Sequence, residues 1–192
     1  MKLIGLALAT FLGGLAGAGA QEPEAVEPPR TRLAAFAGQS GVVIVRGYSR
    51  VGDVRGAQGS MITVETQEYR NPATGAREHG ISVEVRESGR AERVHTSYVD
   101  FDELPALING LEYLGRVEKA ATAQTDFQAD FRTRDDLVVS AYSAENRGTR
   151  VAVSSGALEP ARAHLTFSDL VELRTLVRQA HAALEALRAG QR

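Results

Sequence analysis

The sequence predicts an α+β fold of two ββββα repeats, each an antiparallel sheet covered by one helix, with a pseudo-two-fold relating them. Two observations lead to this prediction. Apolar residues recur at every second position over several short runs, as in half-buried strands, and then at the three-and-four spacing of an amphipathic helix. The same order of patterns returns further along the chain.

The first twenty residues have the order of a secretory signal peptide. Lys2 precedes an apolar stretch from Leu3 to Leu15, and small residues lead to Ala20, after which we expect cleavage. This stretch is shorter than the about 20 residues of a membrane span, and retention as an anchor is the alternative. Segment 21–32 is rich in Pro and Glu, which predicts a disordered linker. The expected location is periplasmic or secreted.

The first repeat is predicted over residues 33–120. A short apolar helix over 33–37 precedes four strands, which are expected at 42–51, 61–69, 80–87 and 92–99. In the third strand, Ile81, Val83 and Val85 should share the buried face. In the fourth strand, the core face is predicted to carry Val94, Thr96 and Tyr98, because apolar and aromatic residues alternate there.

The helix of the first repeat is predicted from a stripe of Leu104, Leu107, Ile108, Leu111 and Leu114. Asp100 and Asp102 are the alternative N-caps. We favour Asp102, because a cap at Asp100 would put Pro105 at a helical position where its missing N–H is needed.

The second repeat is predicted over 121–192. Its strands are expected at 126–133, 137–143, 150–155 and 163–167, with Phe127, Ala129 and Phe131 on one face of the first of them. The closing helix is predicted from a stripe of Leu170, Leu173, Leu176, Val177, Ala180, Leu184 and Leu187. Ser168, or Asp169 together with Glu172, should cap this helix.

An offset of 69 residues aligns the two strand-to-helix junctions, as when His95 is matched with His164. The same offset matches Tyr98 with Phe167 and Asp100 with Asp169. We therefore expect a duplicated unit in which an aromatic residue ends each fourth strand on the core side.

Two consecutive ββββα units resemble the Whirly-type fold, in which each half supplies a four-stranded antiparallel sheet and a helix. The run "YVDFDELPALINGLEYL" is also similar to a motif in uncharacterised secreted bacterial proteins of this double-repeat shape. The Whirly resemblance implies single-stranded DNA binding, whereas the second similarity implies no activity.

Composition argues against nucleic acid as the partner. The formal net charge is −2, the lysines are Lys2 and Lys119, and the consecutive lysines typical of Whirly proteins do not occur. With no cysteine, an exported chain of this length must derive its stability from burial. For single-strand binding, the alternating Arg46, Tyr48 and Arg50 of the first strand are the candidates. Arg132, Arg134 and Tyr142 form a second basic and aromatic set, in segments that also carry acidic residues.

The paired histidines His95 and His164 are candidate binding residues that we expect on the face opposite the core. They have no partner at a zinc-ligand spacing, so no metal site or cofactor is predicted. His95, Ser97 and Asp100 contain triad residue types, but neighbouring strand residues point to opposite faces and converge poorly. The glycine-rich segment 52–59 has no Lys and no following helix, so it is not a phosphate loop. The acidic residues near the helix starts lack the spacing of a calcium loop and are assigned to capping.

No catalytic residues are assigned. The function predicted from the sequence is an exported, non-catalytic binding or interaction protein for an unknown protein or small ligand. Single-stranded nucleic-acid binding on a sheet face is the alternative, and an unrecognised hydrolase is a third class. The sequence leaves the oligomeric state open.

If the signal peptide is removed as expected, the mature protein begins at Gln21. N-terminal sequencing and intact mass of the exported product check this. A retained Met1 or Lys2 would contradict cleavage and favour the anchor.

Overall fold

The structure is a computed structural model that describes residues 28–89, 91–144 and 148–190. The predicted signal peptide and most of the predicted linker lie outside these residues. Three helices are described: α1 (Arg32–Ala37), α2 (Leu104–Leu114) and α3 (Phe167–Ala189). The strands are β1 (Val45–Arg55), β2 (Met61–Arg70), β3 (Arg77–Glu87), β4 (Arg93–Asp100), β5 (Gln128–Arg132), β6 (Leu137–Ala144), β7 (Gly148–Ser155) and β8 (Ala161–Leu165).

The strands form two antiparallel sheets, each a meander in chain order. The first sheet has the order β1-β2-β3-β4 and the second has the order β5-β6-β7-β8. Each set of four strands is followed by a helix, so the predicted α+β architecture of two ββββα repeats is confirmed. The third and fourth strands of each sheet pair in the same way, through residues of the inner face. Val83 pairs with Ser97 in the first sheet, and Val153 pairs with Ala163 in the second.

The two long helices are exchanged between the sheets. Helix α2 packs on β5 and β6, and α3 packs mainly on β1 and β2. The contacts are close: a Cβ at Gly52 of β1 would lie 2.7 Å from Leu176 Cδ2, and a Cβ at Gly110 of α2 would lie 2.2 Å from Phe131 Cδ2. Each sheet is therefore covered by the helix of the other repeat, an exchange that element order alone does not reveal.

A single hydrophobic core lies between the inner faces of the sheets. The sheets touch directly where β3 and β4 meet β7 and β8, and the helices occupy the space over the remaining strands. The predicted face of β3 is confirmed, because Ile81, Val83 and Val85 are all buried. The fully buried side chains of this core include Ile62, Ile81, Leu104, Leu107, Leu111, Leu114, Leu137, Leu170, Leu173 and Leu184.

The predicted facing of β4 is wrong by one residue. Its inner face carries His95, Ser97 and Val99, because these pair across the ladder with the inward residues of β3. Tyr98 lies on the outer face and packs against a second, smaller cluster. The alternation of Val94, Thr96 and Tyr98 led to the wrong prediction. Successive side chains of a strand point to opposite faces, so an error of one residue assigns every side chain to the other face.

The repeat offset is 66 residues through the strand-to-helix junction, which corrects the predicted 69. The buried Leu104, Leu107 and Leu111 of α2 match Leu170, Leu173 and Val177 of α3. The match of His95 with His164 was therefore coincidental. Phe167 is the first residue of α3 rather than the inward end of a strand, so the expected aromatic pair is also wrong.

The N-cap of α2 also differs from the prediction. Residues 101–103 form a 3₁₀ turn, and Glu103 occupies the cap position without a side-chain cap bond. Pro105 lies in the first helical turn, where its missing N–H is harmless. Neither Ser168 nor the Asp169–Glu172 pair caps α3. Its cap is Thr166, which forms a reciprocal capping box with Asp169.

Asp100 instead binds the start of α1. Its carboxylate accepts hydrogen bonds from the backbone N–H groups of Arg32 at 3.0 Å and Leu33 at 3.1 Å. Thr31 caps the same helix through its side chain. With the carboxylate only 1% exposed, the polar start of α1 is held at the end of β4.

Helix α1 covers one end of the outer face of the first sheet. Leu33 and Phe36 form a cluster there with Tyr69. Gly80 allows this approach, because a Cβ at that position would lie 2.5 Å from Leu33 Cδ1 and 2.2 Å from Val99 O. Burial, reinforced by a hydrogen bond with Tyr98, raises the pKa of Tyr69 to about 12.

The helix exchange predicts a specific effect of Gly110→Ala. The added methyl overlaps the Phe131 ring of the other repeat, and we expect the free energy of unfolding to fall by about 1–3 kcal/mol despite the better helix propensity of Ala. Urea unfolding followed by circular dichroism measures this.

Gly115→Ala is the matched control, because the nearest atom to its Cβ is 3.4 Å away. Gly110→Ala should also cost less in a Phe131→Leu background than in the wild type. Equal costs in both backgrounds would contradict the packing of α2 on β5.

Candidate functional site

The outer face of the second sheet forms a polar groove that none of the described helices covers. The groove has a volume of about 440 Å³. We call it the second-sheet groove. It is lined by Gln128, Asp130, Arg132, Val138, Ser140, Tyr142, Ala152, Ser154, Gly156, Ala157, Pro160, Arg162 and His164. Its size falls within the range of small-molecule sites in proteins.

The strand period places these residues on one face. Arg132 pairs with Val138, Val138 with Ser154, and Ser154 with Arg162, which gives one row across the four strands. In an antiparallel sheet, directly paired residues project to the same side.

The next row runs from Asp130 through Ser140 and Ala152 to His164. In these two rows the middle strands contribute small side chains, and the two edge strands contribute long or charged ones. A groove with a low floor and charged sides results.

The charged groups at the β5 side of the groove already have partners. Arg132 forms an ion pair with Asp136 at 3.1 Å, and Asp136 also pairs with Arg30. The carboxylate of Asp130 accepts hydrogen bonds from Gln128 Nε2, at 3.0 Å to each oxygen.

The β8 side differs. Within the described part of the chain, no carboxylate lies within ion-pair distance of the Arg162 guanidinium. The backbone N–H of Arg162 donates to Glu87 Oε2 at 3.2 Å, so Glu87 holds the strand edge rather than the guanidinium.

The β1 candidates lie on the outer face of the first sheet and are occupied by neighbours. Arg46 donates to Gln67 Oε1 at 2.8 Å and lies 3.8 Å from Glu65. The Arg46 guanidinium also stacks on the ring of Tyr48, a residue that is 63% exposed. Arg50 forms an ion pair with Asp53, and this hydrogen-bonded guanidinium lowers the pKa of Asp53.

A cavity of about 210 Å³ lies beside Arg46 on this face. Glu65 and Glu84 line it, so the basic side chains share the surface with acids. This mixed charge leaves the β1 residues a weaker candidate than the second-sheet groove.

The structure does not bring the two candidate histidines to one face. His95 lies on the inner face of the first sheet, where its Nδ1 is 2.8 Å from Ser155 Oγ. Ser97 Oγ is 2.6 Å from the same Ser155 oxygen. His164 lines the second-sheet groove. The predicted position of His95 opposite the core is therefore wrong, whereas His164 does lie on an outer face.

The His95–Ser155 hydrogen bond contains the residue types of a hydrolase site. Ser155 is completely buried, so a substrate carbonyl has no access to its Oγ. Asp100 lies on the opposite face of β4, where its carboxylate accepts hydrogen bonds from the start of α1. His95, Ser97 and Asp100 therefore do not converge.

A cavity of about 230 Å³ lies beside His95 and includes Asp135 and Gly156. Asp135 accepts a hydrogen bond from Tyr98 N at 2.8 Å. Burial raises the pKa of Asp135. The Asp135 carboxylate thus links the β5–β6 turn to the backbone of β4, which is a structural role.

The acidic cluster near α2 binds arginine. Asp102 lies 2.7 Å from Arg32 and 3.3 Å from Arg134, and hydrogen bonding from Arg134 lowers the pKa of Asp102. Arg134, a candidate for nucleic-acid binding, is thereby engaged away from any sheet face. Asp169 is used in the capping box of α3.

No group of three or more potential metal ligands occurs among residues 28–89, 91–144 and 148–190. Over the same residues, none of the helices has the length and apolar character needed to span a membrane.

Sequence reasoning found part of the groove. It named Arg132, Tyr142 and His164, and the structure places all three on its lining. It missed Gln128, Ser140, Ser154 and Arg162. The available signal was the set of polar residues that alternate with the buried ones on β5 to β8. That signal becomes meaningful only with the finding that no element of the described residues covers this face.

No protein-family model, curated protein or solved structure matches this chain. The Whirly resemblance therefore stays a prediction from element order, and the site is interpreted from its own geometry.

The Glu103 carboxylate predicts a pH effect on stability. Its Oε1 accepts a hydrogen bond from Arg134 N at 2.9 Å, whereas its buried Oε2 has no partner in the described part of the chain. Burial raises the pKa of Glu103 above the ordinary value of 4.5. Ionisation therefore costs stability as pH rises from about 4.5 through the raised pKa.

Glu103→Gln removes this cost, since the amide oxygen can still accept from Arg134 N. Urea midpoints at pH 4 and pH 7 should show the variant gaining on the wild type as pH rises. Glu172→Gln on the exposed side of α3 is the control. A difference between variant and wild type that does not change with pH would contradict the prediction.

Proposed function

We propose that this chain is an exported, non-catalytic binding protein that holds a small polar ligand in the second-sheet groove. The observation that carries the proposal is the outer face of the second sheet, which none of the described elements covers. This face has small residues at its centre and charged residues at both edges. A rigid antiparallel sheet presents such side chains in fixed positions, which lowers the entropy cost of binding.

Export is supported by the order of charge, apolar stretch and small residues at the start of the sequence. The non-catalytic assignment is supported by the use of the reactive residue types elsewhere. The hydroxyl beside His95 is buried, and the acids near α2 bind arginine or a helix start.

Filling the groove tests this function. Ala152 lies in the middle of the groove, and Ala152→Trp puts a large ring there without entering the core. The small-molecule fraction of a native extract should raise the melting temperature of the wild type and leave that of Ala152→Trp unchanged. A ligand at ten times its Kd stabilises by about 1.4 kcal/mol, which is about 3–6 °C.

Ala182→Trp on the exposed side of α3 is the matched control and should respond as the wild type does. Mass spectrometry of the compounds retained by each variant identifies the ligand. An equal response of wild type and Ala152→Trp, or no response of either, would refute the groove as the site.

Single-stranded nucleic acid is the second candidate. It is favoured by Tyr142 and Arg132 on one face, and the register adds Arg150 opposite Tyr142. Stacking on an aromatic ring within a basic groove is the usual means of such binding. The Whirly resemblance points the same way, whereas the negative net charge points against it.

A gel-shift titration with a labelled oligonucleotide over a salt series tests this candidate. Phosphate contacts require an affinity that falls steeply as salt rises. Binding that is absent, or insensitive to salt, excludes it.

A further inference from the structure

We propose that Arg162, with Ser154 and His164, binds an anionic oxygen group of the ligand, a carboxylate or a phosphate, at the β8 side of the second-sheet groove. This inference rests on the proposed function and adds the ligand's chemical class and the residues that recognise it.

The three side chains lie together on the outer face. Arg162 and His164 are two positions apart on β8, so they project to the same side. Ser154 of β7 is the direct partner of Arg162 across the ladder. All three line the groove, and Ala152, the partner of His164, leaves space between them.

The donors match an anionic oxygen group. A guanidinium offers parallel N–H donors that fit the two oxygens of a carboxylate or phosphate. The serine hydroxyl can donate one further hydrogen bond, and an imidazole nitrogen can donate another. Arg162 and His164 are both exposed, so their donors remain accessible.

The charge balance selects this end of the groove. At the opposite edge, Arg132 shares Asp136 with Arg30, and Asp130 adds a carboxylate whose partner Gln128 is neutral, so an anion is disfavoured there. On the outer face of the first sheet, Arg46 and Arg50 each have an acidic neighbour.

Among the described residues, Glu87 is an acidic residue that forms a hydrogen bond with Arg162, and it accepts from the backbone N–H rather than from the guanidinium. Glu87 also lies 3.8 Å from Arg93. The positive charge of the Arg162 side chain is thus left for a ligand.

The other residues of the groove indicate the chemical groups that the rest of the ligand should carry. Ser140 and Tyr142 offer hydroxyls along the floor, and Asp130 accepts at the far side. A volume of about 440 Å³ suits a hydrophilic molecule of metabolite size that carries its anionic group at one end.

The test is a titration of the ¹⁵N-labelled mature protein with inorganic phosphate and, separately, with succinate at constant ionic strength set by sodium chloride. Wild-type amide signals of β7 and β8 should shift and saturate with at least one anion. Arg162→Ala should weaken that binding at least tenfold, Arg162→Lys should weaken it less, and Ser154→Ala should have a smaller effect.

Arg178→Ala is the matched control, because it removes the same charge from the exposed side of α3. Saturation with phosphate alone, or with succinate alone, identifies the ligand group. Equal weakening by Arg162→Ala and Arg178→Ala would show a nonspecific charge effect and overturn the inference. Failure of both anions to saturate would also overturn it.

The two proposals can fail separately. If Ala152→Trp abolishes the extract response but Arg162→Ala retains it, the groove binds a ligand and the anion site is wrong. If an oligonucleotide binds tightly through Arg162 while both small anions fail, the ligand class is nucleic acid and the inference is overturned.

Discussion

The exchange of α2 and α3 between the sheets is the constraint on which the rest of the structure depends. Each helix buries its apolar stripe against strands of the other repeat, so neither sheet completes its own inner face. Gly52 and Gly110 mark the two crossings, since each lets a side chain of the other repeat approach the backbone. Burial of apolar surface, the main driving force for folding, is thereby shared between the repeats, and their stability is coupled.

The same exchange decides which surfaces stay open. Helices α2 and α3 both pack on the inner faces of the sheets. The outer faces can therefore be covered only by other elements. Helix α1, held by Asp100, covers part of the first sheet. No described element does this for the second sheet, whose outer face forms the second-sheet groove. Two equivalent sheets thus present different surfaces, and we place the proposed function on the one left uncovered.

The partners of the polar residues separate those with a structural role from those to which we assign the proposed binding. Asp100, Asp102 and Arg134 are joined to each other or to α1 and hold the β5–β6 turn against the first repeat. Sequence reasoning assigned these acids to capping in general but chose the wrong helix, because Asp100 and α1 are separated by some 67 residues in the chain. Arg162 carried no distinguishing signal in the sequence. The role that we propose for it follows from the absence of a described partner for its side chain, which is a property of its surroundings.

The sequence by itself determined the order of the described helices and strands, the inward face of β3 and the apolar stripes of the long helices, because these follow from local periodicity and turn chemistry. The exception on the stripe of α3 is Leu187, which is exposed. Only the tertiary structure decided the face of β4, the offset between the repeats and the partner of each helix. A period-two pattern with alternating polar and aromatic residues reads equally well in either register, so the inward face of β4 is fixed by its pairing with β3. An amphipathic helix specifies that it must bury a stripe, but the choice between two similar sheets is made by shape, at positions such as Gly52 and Gly110.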